Sequence, residues 1–110
     1  MAMINPFILA NKQGIPQLEA TGVTSDATTT TVTYSFAPHR FVNAPYNGLI
    51  AFKLPERPSG TSTYSIRFTS PNGGSVQLQS KGGAATGANI PGAGIYVAYY
   101  DYSTGLLQLI

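Results

Sequence analysis

A chain of 110 residues is enough for one compact domain and little more. Charged residues make up only 9% of it and sum to +2, too few and too dispersed for the dense basic patch that nucleic-acid binding requires. It contains no Cys, which excludes disulfides and thiolate metal sites, and no apolar run approaches the roughly 18–20 residues of a membrane-spanning helix. A free monomer with so few charges has a thin solubility margin, so the composition favours a subunit covered by other chains.

Residues 1–20 alternate weakly, carry Pro6 and Pro16, and lack the basic start of a secretory signal. They are expected to form an N-terminal arm or an edge strand, made in the cytoplasm without a recognised export signal. The apolar patch Phe7, Ile8 and Leu9 is the candidate anchor, suited to adding a strand to a partner's sheet edge. Residues 21–110 are expected to be a single β domain.

Period-two alternation then recurs along the chain. The run of Thr at 28–31 reads as the start of a first clear strand, on which Val32, Tyr34 and Phe36 share a face. Ile50, Phe52 and Leu54 point one way on a second, and Tyr64, Ile66 and Phe68 on a third. Val76 and Leu78 alternate with Gln77 and Gln79. Residues 95–100 are apolar on both faces, which suits a central strand or one at a subunit contact. Phe52, Ile66 and Val97 are expected inside the core. The chain closes on a last strand from Leu106.

Turn residues separate these runs: Asn47-Gly48, Pro58-Ser59-Gly60, Asn72-Gly73-Gly74, Lys81-Gly82-Gly83, Pro91-Gly92 and Ser103-Thr104-Gly105. Six or seven short strands with such spacing predict an all-β fold. The expected form is a small antiparallel β-sandwich or jelly-roll-like domain with an extended N-terminal arm. Twelve Gly and eight Pro leave little room for a helix of three turns.

Catalytic patterns are sparse. His39 is the single His, so two histidines of one chain cannot share a metal, and its neighbours Pro38 and Arg40 place it on an exposed loop. Of the carboxylates Glu19, Asp26, Glu56 and Asp101, Glu56 is expected to pair with Arg57 on the surface. The Gly-rich stretch at 82–88 lacks the Lys and Ser/Thr of a phosphate loop and reads as a flexible connection. No catalytic, cofactor or metal site is predicted. Tyr96, Tyr99, Tyr100 and Tyr102 are the candidate contacts to a partner or a glycan, because Tyr joins an apolar body to a polar tip. Packing in the core or between subunits is the simpler and favoured use of the same four rings.

The segment from Asn47-Gly48-Leu49-Ile50-Ala51-Phe52-Lys53-Leu54-Pro55, through Gly60-Thr61-Ser62-Thr63-Tyr64-Ser65-Ile66, has a further aspect. With Ala88-Asn89-Ile90-Pro91-Gly92-Ala93-Gly94-Ile95-Tyr96, Tyr100-Asp101 and Leu107-Gln108-Leu109-Ile110, it resembles a β-rich module of tailed-phage fibre, tail and head-decoration proteins. The resemblance spans about residues 47–110; its pieces are short and built of common β and turn residues. It departs after Asp101, where Tyr102-Ser103-Thr104-Gly105 is longer and more aromatic than the usual Asp-Gly. It implies a non-enzymatic bacteriophage structural protein located in the virion: a capsid decoration or auxiliary protein, or a head-fibre subunit. The implied partners are other capsid or virion proteins and copies of itself, a trimer being favoured. The alternative is a carbohydrate-binding adhesin or receptor-binding fibre module recognising a host surface glycan. No nucleic acid and no membrane insertion are expected.

Overall fold

The computed structural model describes residues 15–39, 46–71 and 74–110. They form eight strands: β1 (Gln17–Asp26), β2 (Thr31–Phe36), β3 (Asn47–Leu54), β4 (Ser65–Ser70), β5 (Gly74–Ser80), β6 (Gly83–Ala84), β7 (Gly94–Asp101) and β8 (Leu106–Leu109). A single 3-10 turn, Gly87–Asn89, lies between β6 and β7. The all-β class is as expected from the alternation.

The strands close on themselves. Seven of them run in the ring order β1–β2–β4–β5–β8–β7–β3 and back to β1, with β6 added to the side of β5. The result is a barrel, where the sequence points to a sandwich or jelly roll. Nor is it purely antiparallel, because β1–β3, β2–β4 and β5–β8 pair in parallel. These parallel pairs join strands distant in sequence, so no turn signal announces them.

Alternation sorts the side chains. Val32, Tyr34 and Phe36 from β2, Ile50, Phe52 and Leu54 from β3, and Ile66 and Phe68 from β4 are all buried. Val76, Leu78, Ala98, Tyr100 and Leu107 complete the filling from β5, β7 and β8. The rings of Phe52 and Phe68 meet with centroids 4.7 Å apart, and Phe36 lies edge-on to both, at 5.6 and 5.2 Å. Val97 does not join them. On β7 it is Ala98 and Tyr100 that are buried, while Ile95, Val97 and Tyr99 share the outer face and Val97 is only half-buried. A strand apolar on both faces carries no parity signal, which is why the register of β7 reads one residue out.

β1 shows how alternation is concealed. Gln17–Glu19 lie against β3, and from Ala20 onward the strand pairs with β2, with a register shift between Ala20 and Gly22. The bulge breaks the period of two, so Leu18, Ala20 and Val23 all pack against the core although they are out of phase. Of the segment expected as arm or edge strand, residues 17–20 thus belong to the barrel. Phe7, Ile8 and Leu9 lie outside the described residues. The Thr run is mostly a hairpin turn, and only its last residue, Thr31, opens β2: the Thr28 amide donates to Asp26 Oδ1 (2.8 Å) and Thr30 takes φ 50°. Asn47-Gly48, expected as a reversal, begins β3.

One end of the barrel is closed by Arg57. Its Nε donates to the carbonyls of Gly87 (2.8 Å) and Ile90 (2.9 Å), and its Nη1 to Thr61 Oγ1 (3.0 Å). Thr61 Oγ1 in turn donates to the Pro58 carbonyl (2.6 Å). Arg57 therefore pins two loops to each other, and Glu56 beside it is exposed. The Gly-rich stretch is correspondingly ordered: Gly83 and Ala84 pair with β5, and Gly87 packs so tightly that a Cβ would stand 2.2 Å from the Thr61 carbonyl oxygen.

Three stability predictions follow from this packing. Phe52→Ala costs about 3–5 kcal/mol, whereas Val97→Ala costs within about 1 kcal/mol, because Phe52 fills the interior and Val97 does not; chemical denaturation measures both. Arg57→Lys loses the planar fork and costs about 2–4 kcal/mol. In thermal melts Gly87→Ala is destabilising by about 1–3 kcal/mol, while Gly92→Ala, whose Cβ would meet nothing within 4 Å, is near neutral.

Candidate interaction face

Two polar side chains lie at opposite ends of the barrel interior, and their surroundings are structural. Beneath the Arg57 closure, the Tyr34 hydroxyl is fully buried and has no hydrogen-bond partner among the described residues. Burial pushes its pKa up to about 12; the nearby Arg57 guanidinium pulls it down and Tyr96 adds to the rise. At the other end of the barrel His39 borders a cavity of ≈ 10 Å³, about the space of one water, with Phe36, Phe52 and Phe68. His39 is half-buried rather than exposed, and burial lowers its pKa, favouring the neutral imidazole. Among the described residues no group of three or more His, Cys, Asp or Glu is placed to hold a metal ion. No helix among them is long and apolar enough to cross a membrane.

The four tyrosines are divided by the pleat of β7. Tyr100 is in the core, and half-buried Tyr96 donates its hydroxyl to the Gly92 carbonyl at 2.6 Å. Tyr99 faces outward and Tyr102 stands in the turn beyond, 44% and 49% exposed. That turn is firmly built. Asp101 Oδ1 accepts from the Ser103 amide (3.0 Å) and hydroxyl (2.7 Å), the Gly105 amide donates to the Asp101 carbonyl (2.8 Å), and Gly105 supplies φ 71°. The Ser103 hydroxyl is the chief cause holding the Asp101 carboxyl below its ordinary pKa.

What the structure brings together instead is an outer face on β3, β7 and β8 whose exposed apolar side chains lie on β7, on β8 and at Ile110, with Ala51 of β3 buried and Leu49 half-buried. The cross-strand register arranges it in rows. Lys53 lies opposite Ile95, Ala51 opposite Val97, and Leu49 opposite Tyr99, which in turn faces Gln108. Asn47 and Leu106 flank Asp101 on either side, and the Ile110 amide donates to the Val97 carbonyl (2.9 Å). Ile95, Leu106 and Ile110 are 61%, 48% and 77% exposed. Shallow grooves lie at both ends, one of ≈ 320 Å³ along Tyr99, Leu106 and Ile110, the other of ≈ 380 Å³ along Ile95, Leu54 and Pro55. Large apolar side chains grouped on one outer face are a common feature of interaction surfaces. The sequence flags β7 as doubly apolar; it does not show that Leu106 and Ile110 join the same face, because that depends on the register of β8.

The chain matches no protein-family model, no curated protein and no solved structure.

The interior tyrosine makes a prediction at high pH. A phenol whose pKa is raised by folding contributes stability below pH 10 that is lost as pH rises from 10 through about 12. Tyr34→Phe removes that alkaline loss and, because it deletes a buried hydroxyl with no hydrogen-bond partner among the described residues, leaves stability at pH 7 unchanged or higher by about 1 kcal/mol. Denaturation midpoints at pH 7 and pH 11 check both statements.

Proposed function

We propose that the chain is a non-enzymatic structural subunit of a tailed-phage particle, a capsid decoration or auxiliary protein or a head-fibre subunit. The observation that carries this reading is a filled barrel with its large exposed apolar side chains gathered on β7, β8 and the residues next to them, Tyr102 and Ile110. Such a body works through contact. The 9% charge content and the resemblance of residues 47–110 support the same reading. Copies of the chain would assemble with one another, and the N-terminal segment with Phe7, Ile8 and Leu9 would anchor the assembly to the particle. The rival reading, a glycan-binding adhesin, rests on exposed Tyr99 and Tyr102 at one end of that face.

Particles lacking the protein provide the test. Added back, the full chain co-sediments with them to a saturable occupancy, and a chain lacking residues 1–14 folds with the same β-type circular dichroism but stays in the supernatant. Absence of co-sedimentation by the full chain, together with binding on a glycan array, would replace this reading with the adhesin.

A further inference from the structure

The outer face of β3, β7 and β8 has a sense of direction. Of its four rows the two middle ones hold Ala51, Val97, Leu49 and Tyr99, while the end rows pair Lys53 with Ile95 at one end and Asp101 with Leu106 at the other. The two charges are six residues apart in register, about 20 Å along the strands. Both project outward, because Lys53 shares the parity of Leu49 and Ala51, and Asp101 that of Ile95, Val97 and Tyr99. A face carrying opposite charges at its two ends matches a reversed copy of itself.

We infer that this face is a two-fold contact between two copies of the chain, packed sheet on sheet with their strands turned end for end. A two-fold axis lying in the plane of the contact, across the strands between the Val97 and Tyr99 rows, sets Val97 on the second copy's Tyr99 and Ala51 on its Leu49. The same operation carries Lys53 over the second copy's Asn47, one strand spacing of about 4.8 Å from its Asp101 and within reach of a flexible Lys side chain. The contact repeats symmetrically, so each copy contributes one Lys53 and one Asp101. The Asp101 side is already held in place by Ser103, which leaves the carboxylate ionised and oriented at neutral pH.

Size sets the strength. Three strands at about 4.8 Å and four rows give a footprint of about 14 by 20 Å, well below the roughly 800 Å² per partner of a standard stable complex. The pair is therefore weak and concentration-dependent by itself, and becomes stable when other contacts hold copies side by side. Glu19, exposed beside Lys53 on β1, competes for the same ammonium and limits the attraction. The inference does not rest on the particle reading: a two-fold pair that never binds particles would keep it, and a monomer that binds particles would not.

Sedimentation equilibrium of the full chain from about 1 to 500 μM tests it, a range chosen for an interface of this size. The expected mass rises from 11.6 kDa toward twice that value. Lys53→Glu and Asp101→Lys each weaken the pair at least tenfold, and an equimolar mixture of the two variants restores it, because each introduced charge meets its opposite on the other chain. Glu19→Gln tightens the pair. Tyr99→Asp, at an exposed position outside the core, breaks it while leaving the melting temperature within a few degrees, which separates loss of contact from loss of fold. A monomer at every concentration overturns the inference. So does a trimeric mass, an association insensitive to Lys53→Glu, or variants that remain monomeric when mixed.

Discussion

The contact between Phe52 of β3 and Phe68 of β4 is the constraint on which the barrel depends. These strands are not neighbours in the ring, so their rings meet only because the sheet has curved far enough to bring opposite walls together. Phe36 and Tyr34 from β2 pack around them, Tyr34 edge-on to Phe68 at 5.8 Å. With these four aromatic side chains and Tyr100 in so small an interior, apolar burial is secured by closure, and closure also removes exposed strand edges along most of the ring. The parallel pairs follow from this, since closing the ring requires β1 to reach β3, β2 to reach β4 and β5 to reach β8.

Filling the interior decides where function can reside. One end is closed as well, by Arg57, and at the other the space beside His39 holds no more than about one water. An arginine whose guanidinium serves carbonyls of Gly87 and Ile90 is a structural element, and Gly87 is a glycine because the Thr61 carbonyl leaves no space for a side chain. What remains available is the outside. There the apolar residues are unevenly distributed: the hairpin of β1 and β2 ends in Asp26 and a run of Thr, while β7 and β8 present Ile95, Tyr99, Leu106 and Ile110.

Much of the interior is legible in the sequence, because β2, β3 and β4 alternate cleanly and one face of each is buried: Val32, Tyr34 and Phe36, then Ile50, Phe52 and Leu54, then Ile66 and Phe68. Alternation reports a face only when the two sides differ. It is silent on β7, where both sides are apolar, and it places Val97 inside when Ala98 and Tyr100 hold that position. It is broken on β1 by the bulge between Ala20 and Gly22. The closure into a barrel and the Arg57 plug depend on pairings between distant segments, which a one-dimensional pattern does not encode. The tyrosine cluster is legible as composition only; the pleat sends Tyr100 inward and Tyr99 outward, so the four never form one platform. The outer face is half legible, since doubly apolar β7 points to a contact, and its neighbours become known only with the register of β3 and β8.

The closed interior leaves the outer face as the proposed place of contact. Covalent surface footprinting read residue by residue in mass spectrometry measures both at once, on dilute protein and on protein in its assembled state. The account predicts that Ile95, Tyr99, Tyr102, Leu106 and Ile110 label in dilute protein, that Ile95 and Tyr99 become protected on assembly, and that Tyr34 and Tyr100 stay unlabelled in both. Labelling of Tyr34 or Tyr100 in the native protein would contradict the filled barrel, and undiminished labelling of Ile95 and Tyr99 in the assembly would contradict the covered face.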